Sequence, residues 1–211
     1  ATEAAADAAA AARDAWRILE AAGEAPLREA PVPTFDVRIE AGAEDARHPY
    51  EGIGALSAGA SSRLLRDYPK EQRGEILDLL FRPGYGASLQ VLKVEIGGDM
   101  QSTDGSEPSH MRARGERPDC TRGYETWLMQ EAKARNPRMR TYGLAWGVPG
   151  WIGNGSFFTP DNIHYHVSWL RCVRDTYGFE VDYLGIWNEM PWGEVWYIGA
   201  LAQSIAAHNL S

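Results

Sequence analysis

Residues 187–189 read Trp-Asn-Glu and close an apolar run, Val181–Trp187 (VDYLGIW), that has the composition of a strand. A carboxylic acid such as Glu189 beside a glycosidic oxygen can protonate the leaving group. A second carboxylate about 5 Å away can attack the sugar in a retaining reaction. Asn188 stands where an amide could bond the sugar 2-hydroxyl. Two further segments have matching chemistry. Trp146–Trp151 (WGVPGW) supplies indoles whose faces suit the apolar side of a pyranose, and Gly97–His110 (GGDMQSTDGSEPSH) is dense in hydroxyls and carboxylates. Exposed indoles among fixed polar groups make sugar chemistry the first expectation for Glu189, Asn188, Trp146 and the Gly97–His110 loop.

The other candidates read as structure. His164 and His166 are two apart on an expected helix, so they point in different directions and make a poor metal pair. His110 is expected to anchor its loop. Trp187, Trp192 and Trp196 are expected to pack. Glu95, Asp99, Asp104 and Glu107 lie on or after one strand, where Glu95 and Asp104 could reach a pocket. Cys120 and Cys172 match no metal spacing and do not make a disulfide framework, so two buried free thiols are expected. The sequons Asn154-Gly155-Ser156 and Asn209-Leu210-Ser211 are short enough to arise by chance.

The elements that must position these residues alternate in type. Gly52–Leu56 reads as a first short strand. A helix opened by Asp67 and Pro69 carries Ile76, Leu77, Leu80 and Phe81, and Pro83-Gly84 closes it. Leu89–Ile96 reads as a second strand. A helix capped by Thr121 runs to Asn136-Pro137. Thr141–Trp146 is the third strand. Thr159-Pro160-Asp161 starts a helix that Gly178 ends. Val181–Trp187 is the fourth strand and Glu194–Ala207 the last helix. Four strand–helix units predict a parallel sheet with helices outside. A doubly wound sheet and a (β/α)8 barrel both fit, and in either the chemistry gathers past the C-terminal ends of the strands.

Residues 1–24 are half alanine and predict a helical arm, which Gly23 stops. It is read either as a solvated extension or as an arm docking through Trp16 and Leu19. Residues 25–49 read as a linker with Pro26, Pro31 and Pro33 and a short alternating strand at 35–39; residues 50–211 form the third region. The 211 residues carry a net charge of −8. An acidic chain without a basic cluster is a poor binder of nucleic acid or anionic membrane. No apolar run reaches the roughly 18 residues that span a bilayer. The chain begins at Ala1, which predicts a processed or partial chain.

Eight segments together carry a resemblance: Glu51–Gly54 (EGIG), Ser62–Leu65 (SRLL), Leu92–Gly98 (LKVEIGG), Thr103–Gly105 (TDG), Glu107–Met111 (EPSHM), Arg122–Glu125 (RGYE), Trp127–Met129 (WLM) and Gly185–Glu189 (GIWNE). Between about residue 50 and residue 197 the chain resembles glycoside hydrolase family 59, the galactosylceramidase family. The resemblance implies a (β/α)8 barrel of TIM type, of which this chain would hold the first four βα units, a half barrel. It implies retaining cleavage of a β-galactoside or galactolipid in a lysosomal or secretory setting, without metal or organic cofactor. Glu189 would be the acid/base, Asn188 would bond the sugar, and Thr103 and Trp146 would line the galactose pocket. Glu95 and Asp104 would take structural or hydrogen-bonding roles. The family's nucleophile follows a seventh strand, a position beyond these four units.

Two functions follow as expectations. One is a β-galactosidase domain completed by a C-terminal half that covers the open sheet edges. The other is a non-catalytic half barrel serving as a structural or linker subunit of a larger protein assembly.

Overall fold

The computed structural model describes residues 50–210. The expected alanine-rich arm, the linker and the short strand at 35–39 lie outside the described residues. Four strands form one parallel sheet: β1 (Gly54–Ser57), β2 (Val91–Ile96), β3 (Arg140–Ala145) and β4 (Tyr183–Gly185), in the order β1-β2-β3-β4. Between them run α1 (Ser62–Asp67) and α2 (Lys70–Phe81), α3 (Glu125–Arg135) and α4 (Pro160–Tyr177), and α5 (Val195–Ala207) follows β4. Among the described residues β1 pairs only with β2 and β4 only with β3, so both are edges.

The alternation of side chains along a strand sorts the two faces. On β2, Leu92, Val94 and Ile96 are buried in the main apolar cluster, together with Leu77 and Phe81 of α2, Leu128 and Met129 of α3, and Tyr165, Trp169 and Val173 of α4. The opposite face carries Leu56, Lys93, Tyr142 and Tyr183, and Leu56 is 54% exposed. At its lower end Glu51, Arg140 and Tyr183 bond one another: Arg140 Nη1 donates to Glu51 Oε1 at 3.1 Å and Tyr183 Oη to Glu51 Oε2 at 2.8 Å.

Helix α4 forms where local signals predict it. The Thr159 hydroxyl accepts from Asn162 N, Pro160 takes the first turn, and Gly178 ends the helix at φ +74°. Helix α3 does not start at a Thr121 cap. Thr121 instead bonds Asp119, and the amides of the N-cap Tyr124 and of Glu125, the first helical residue, donate to the Glu107 carboxyl group. A carboxyl group from the preceding loop thus replaces the local cap. Strand β4 is shorter than Val181–Trp187, although Asn188 N still reaches Ala145 O at 3.0 Å. Helix α1, Ser62–Asp67, has no counterpart among the expected elements.

The expectation of two free thiols is overturned. Cys120 and Cys172 form a disulfide, with Cα atoms 5.9 Å apart across 52 residues of sequence. The loop after β2 lies along α4, where His110 Nε2 meets Ser168 Oγ at 2.8 Å, and this brings Cys120 to Cys172 one turn further on. The packing expected of Trp192 and Trp196 is partial within the described residues: Trp192 meets Trp187 edge-on at 5.6 Å and Trp196 meets Tyr197 at 5.8 Å, while they stay 57% and 49% exposed.

Candidate active site

Thr103, Trp146, Asn188 and Glu189 all lie past the C-terminal ends of strands, on one rim of the sheet. Three of them meet at the β3–β4 side. Asn188 N bonds Ala145 O, and Trp187 Nε1 donates to the carbonyl of Trp146 at 3.3 Å. Trp187 itself is packed, stacked on Phe157 with centroids 4.2 Å apart. Glu189 is exposed and its backbone sits at φ +52°. An L-residue in that left-handed region is strained by about 1–2 kcal/mol, and such strain concentrates at sites where a side chain is aimed for function.

Thr103 stands on the other side of the rim, over β1 and β2. It occupies a hairpin tip closed by Ser102 N to Gly105 O at 3.0 Å, above a bridge between Gln101 and Ser106. The β2 and β3 loops meet backbone to backbone, since a Cβ on Gly98 would lie 2.6 Å from Gly147 O. Trp146 is steadied from below. Lys93 Nζ lies 5.4 Å from its ring centroid and 5.3 Å from that of Tyr142.

Beneath the rim Glu95 and Glu107, named in the residue pattern, cluster with Glu125, which that pattern did not add to them. Glu95, Glu107 and Glu125 are each at least 97% buried. Glu95 Oε2 accepts from Gly59 N at 2.6 Å and Ser102 Oγ at 2.7 Å. Glu125 Oε1 accepts from Ser57 Oγ at 2.9 Å and Ser62 Oγ at 3.0 Å. Glu107 caps α3. Burial pushes Glu107 up to about 8, with the Glu125 carboxylate adding to the rise, and burial pushes Glu125 up to about 7. Glu95 is raised by burial against the two bonds that favour its charge. Glu95, Glu107 and His110 line a cavity of about 10 Å³, room for one water, and each leaves one polar atom without a protein partner. His110 anchors its loop, as expected. Among the described residues no group of three His, Cys, Asp or Glu side chains is placed to hold a metal ion, and no helix is long and apolar enough to cross a membrane.

The profile of glycosyl hydrolase family 59 matches residues 50–211. The chain belongs to glycosyl hydrolase family 59. A galactocerebrosidase of Danio rerio is 49% identical over 160 residues, which are 74% of this chain and 23% of that protein. A galactocerebrosidase of Homo sapiens is 50% identical over 145 residues, 66% of this chain and 21% of that protein. The chain thus spans less than a quarter of the length of these family 59 relatives. Among solved structures, an endo-β1,6-glucanase superposes with a TM-score of 0.61 at 20% identity, over 76% of this chain and 42% of that one. The catalytic domain of a GH30 xylanase from Talaromyces cellulolyticus gives 0.59 at 18% identity, over 76% and 44%. At that identity the likeness is one of fold alone, a parallel α/β sheet of TIM-barrel-like architecture.

Proposed function

We propose that residues 50–211 form the first four βα units of a (β/α)8 barrel and carry the acid/base side of a retaining β-galactosidase site for galactolipid. In this reading residues 1–24 are a helical extension and 25–49 a linker. Glu189 protonates the glycosidic oxygen as the bond to the aglycone breaks, then takes a proton from the water that releases the sugar. Asn188 bonds the 2-hydroxyl, and Thr103 and Trp146 line the galactose pocket. The second carboxylate, which must stand about 5 Å from the first in a retaining enzyme, belongs to the half of the barrel beyond these four units.

The observation that carries the reading is Asn188-Glu189 at the end of β4, with Glu189 exposed and held at φ +52°, in a chain of glycosyl hydrolase family 59. The open sheet face supports a completing half, since Leu56 and Tyr183 lack cover within the described residues. The Cys120–Cys172 disulfide supports an oxidising, secretory route.

The test is hydrolysis of a fluorogenic β-galactoside by the 211-residue chain and by Glu189→Gln, each alone and with a separately expressed C-terminal half of a galactocerebrosidase. Activity that needs Glu189, in either condition, supports the proposal. A folded chain that shows no activity in either condition and no binding of methyl β-galactoside overturns it in favour of a structural subunit.

A further inference from the structure

We infer that Glu95 is a positioning residue that fixes the height of the Thr103 tip by holding the β1 and β2 loops on one carboxylate oxygen. The inference deepens the galactoside reading above and rests on it for its consequence, though not for its geometry.

Glu95 lies next to the end of β2, opposite Leu144 of β3, and is 1% exposed. Its Oε2 accepts two hydrogen bonds from two different loops, the Gly59 amide after β1 and the Ser102 hydroxyl after β2. Ser102 is the residue before Thr103. Gly59 is where the tip rests. Its backbone is at φ +64°, and a Cβ there would lie 2.6 Å from Asp104 N and 3.1 Å from Thr103 N and Gly105 N. The return contact is as close, a Cβ on Gly105 falling 2.8 Å from Gly59 O. Thr103 is therefore fixed from two sides by one buried atom: directly through Ser102 and indirectly through Gly59. The remaining fastener, Ser61 Oγ to Asp104 Oδ2 at 3.2 Å, is exposed and weaker for it.

The other oxygen explains why a buried carboxylate serves here. Glu95 Oε1 has no protein partner and sits among the groups of the one-water cavity. The side chain thus keeps one oxygen for the loops and directs the other inward. A Gln at this position retains an oxygen able to take both donors; a Met of similar length retains none. A hairpin tip fastened in this way meets a sugar hydroxyl at little entropic cost, because the loop is ordered before ligand arrives.

Three variants of the 211-residue chain test this: Glu95→Met, Glu95→Gln and Ser102→Ala. The readouts are amide hydrogen exchange at Gly59 and residues 102–105, and the affinity for methyl β-galactoside followed by indole fluorescence. Each lost bond is expected to speed exchange and weaken affinity by about threefold to tenfold, so Glu95→Met changes most. Ser102→Ala lowers affinity and speeds exchange at the tip while leaving local exchange elsewhere on the sheet unmoved, which a merely structural role does not predict. Glu95→Gln restores both readouts to within about threefold of the parent. Should Glu95→Met fail to fold, Ser102→Ala and Glu95→Gln carry the test alone. Unchanged exchange at the tip in Ser102→Ala, in a folded chain, overturns the inference. Faster exchange at the tip in a chain that binds no galactoside upholds the tether and sinks the galactoside reading instead.

Discussion

The Lys93 ammonium lies under the Trp146 indole, 5.4 Å from its centroid, and among the described residues no carboxylate comes within ion-pair distance of it. A half-exposed cation with aromatic rings as its neighbours is held by their quadrupoles, an interaction of about 0.5–1 kcal/mol at such a site. Lys93→Met is expected to lower the urea-unfolding free energy by about that amount, and Lys93→Arg to retain it. The same Met variant frees the indole to turn, so methyl β-galactoside affinity falls with it. Equal stability in Lys93→Met and the parent would remove Lys93 as a support for Trp146.

Acidity is expected to favour this fold. Burial raises Glu107 to about 8 and Glu125 to about 7 from 4.5, so the folded chain holds two protons that the unfolded chain releases. Their contribution is full below about 4.5 and is lost as pH rises through 7 and 8. Glu95, also raised, has the same sign. Burial lowers His110 to about 3 and His166 to about 4 from 6.5. Their contribution is full above about 6.5 and is lost as pH falls toward 4 and 3. Together these groups predict a stability maximum near pH 5–6 and a decline toward pH 8. Melting temperatures across pH 4–9 check it, and Glu107→Gln with Glu125→Gln should flatten the alkaline decline. A maximum above pH 7.5 would contradict the assignment.

The disulfide gives a third expectation. Cys120 and Cys172 close 52 residues of sequence, a loop whose constraint on the unfolded chain is worth about 2–4 kcal/mol. Replacing both by Ser is expected to lower stability by that amount. The loss should concentrate, in hydrogen exchange, between Glu107 and Thr121. Free thiols titrated in the unfolded, unreduced chain would refute the bridge itself.

What the residues disclosed of this fold depended on how far each cause lay along the chain. Helix α4 was legible because Thr159, Pro160 and Gly178 are adjacent to the ends they define. The start of α3 was not, because its cap is Glu107, 17 residues before Tyr124. The disulfide was hidden for the same reason, two cysteines being no framework until a loop lies along α4. Helix α1 is six residues of mixed character, too short for periodicity to show. Trp192 and Trp196 read as packing, and each does meet one aromatic edge-on, Trp187 and Tyr197, but among the described residues about half of each side chain stays open. At the site, the placement of Trp146, Asn188 and Glu189 just past strand ends was legible. The resemblance implies a structural or hydrogen-bonding role for Glu95, but its two partners were not legible, since Gly59 and Ser102 lie on separate loops that meet only in the fold.

The strain at Glu189 makes the last prediction. An L-residue at φ +52° costs about 1–2 kcal/mol over glycine in the folded chain, against which glycine adds about 0.4–1 kcal/mol of unfolded entropy. Among the described residues the Glu189 side chain makes no hydrogen bond that would offset this. Glu189→Gly is therefore expected to stabilise the chain by roughly 0.5–1 kcal/mol, while Glu189→Ala, which keeps the strain, leaves stability nearly unchanged. Both variants should lack any β-galactosidase activity that the complemented chain shows. A gain in stability on relieving the backbone at this position is what a residue kept for chemistry predicts. A drop in melting temperature for both variants would mean that Glu189 anchors the β4 end, and the acid/base role would lose its structural support.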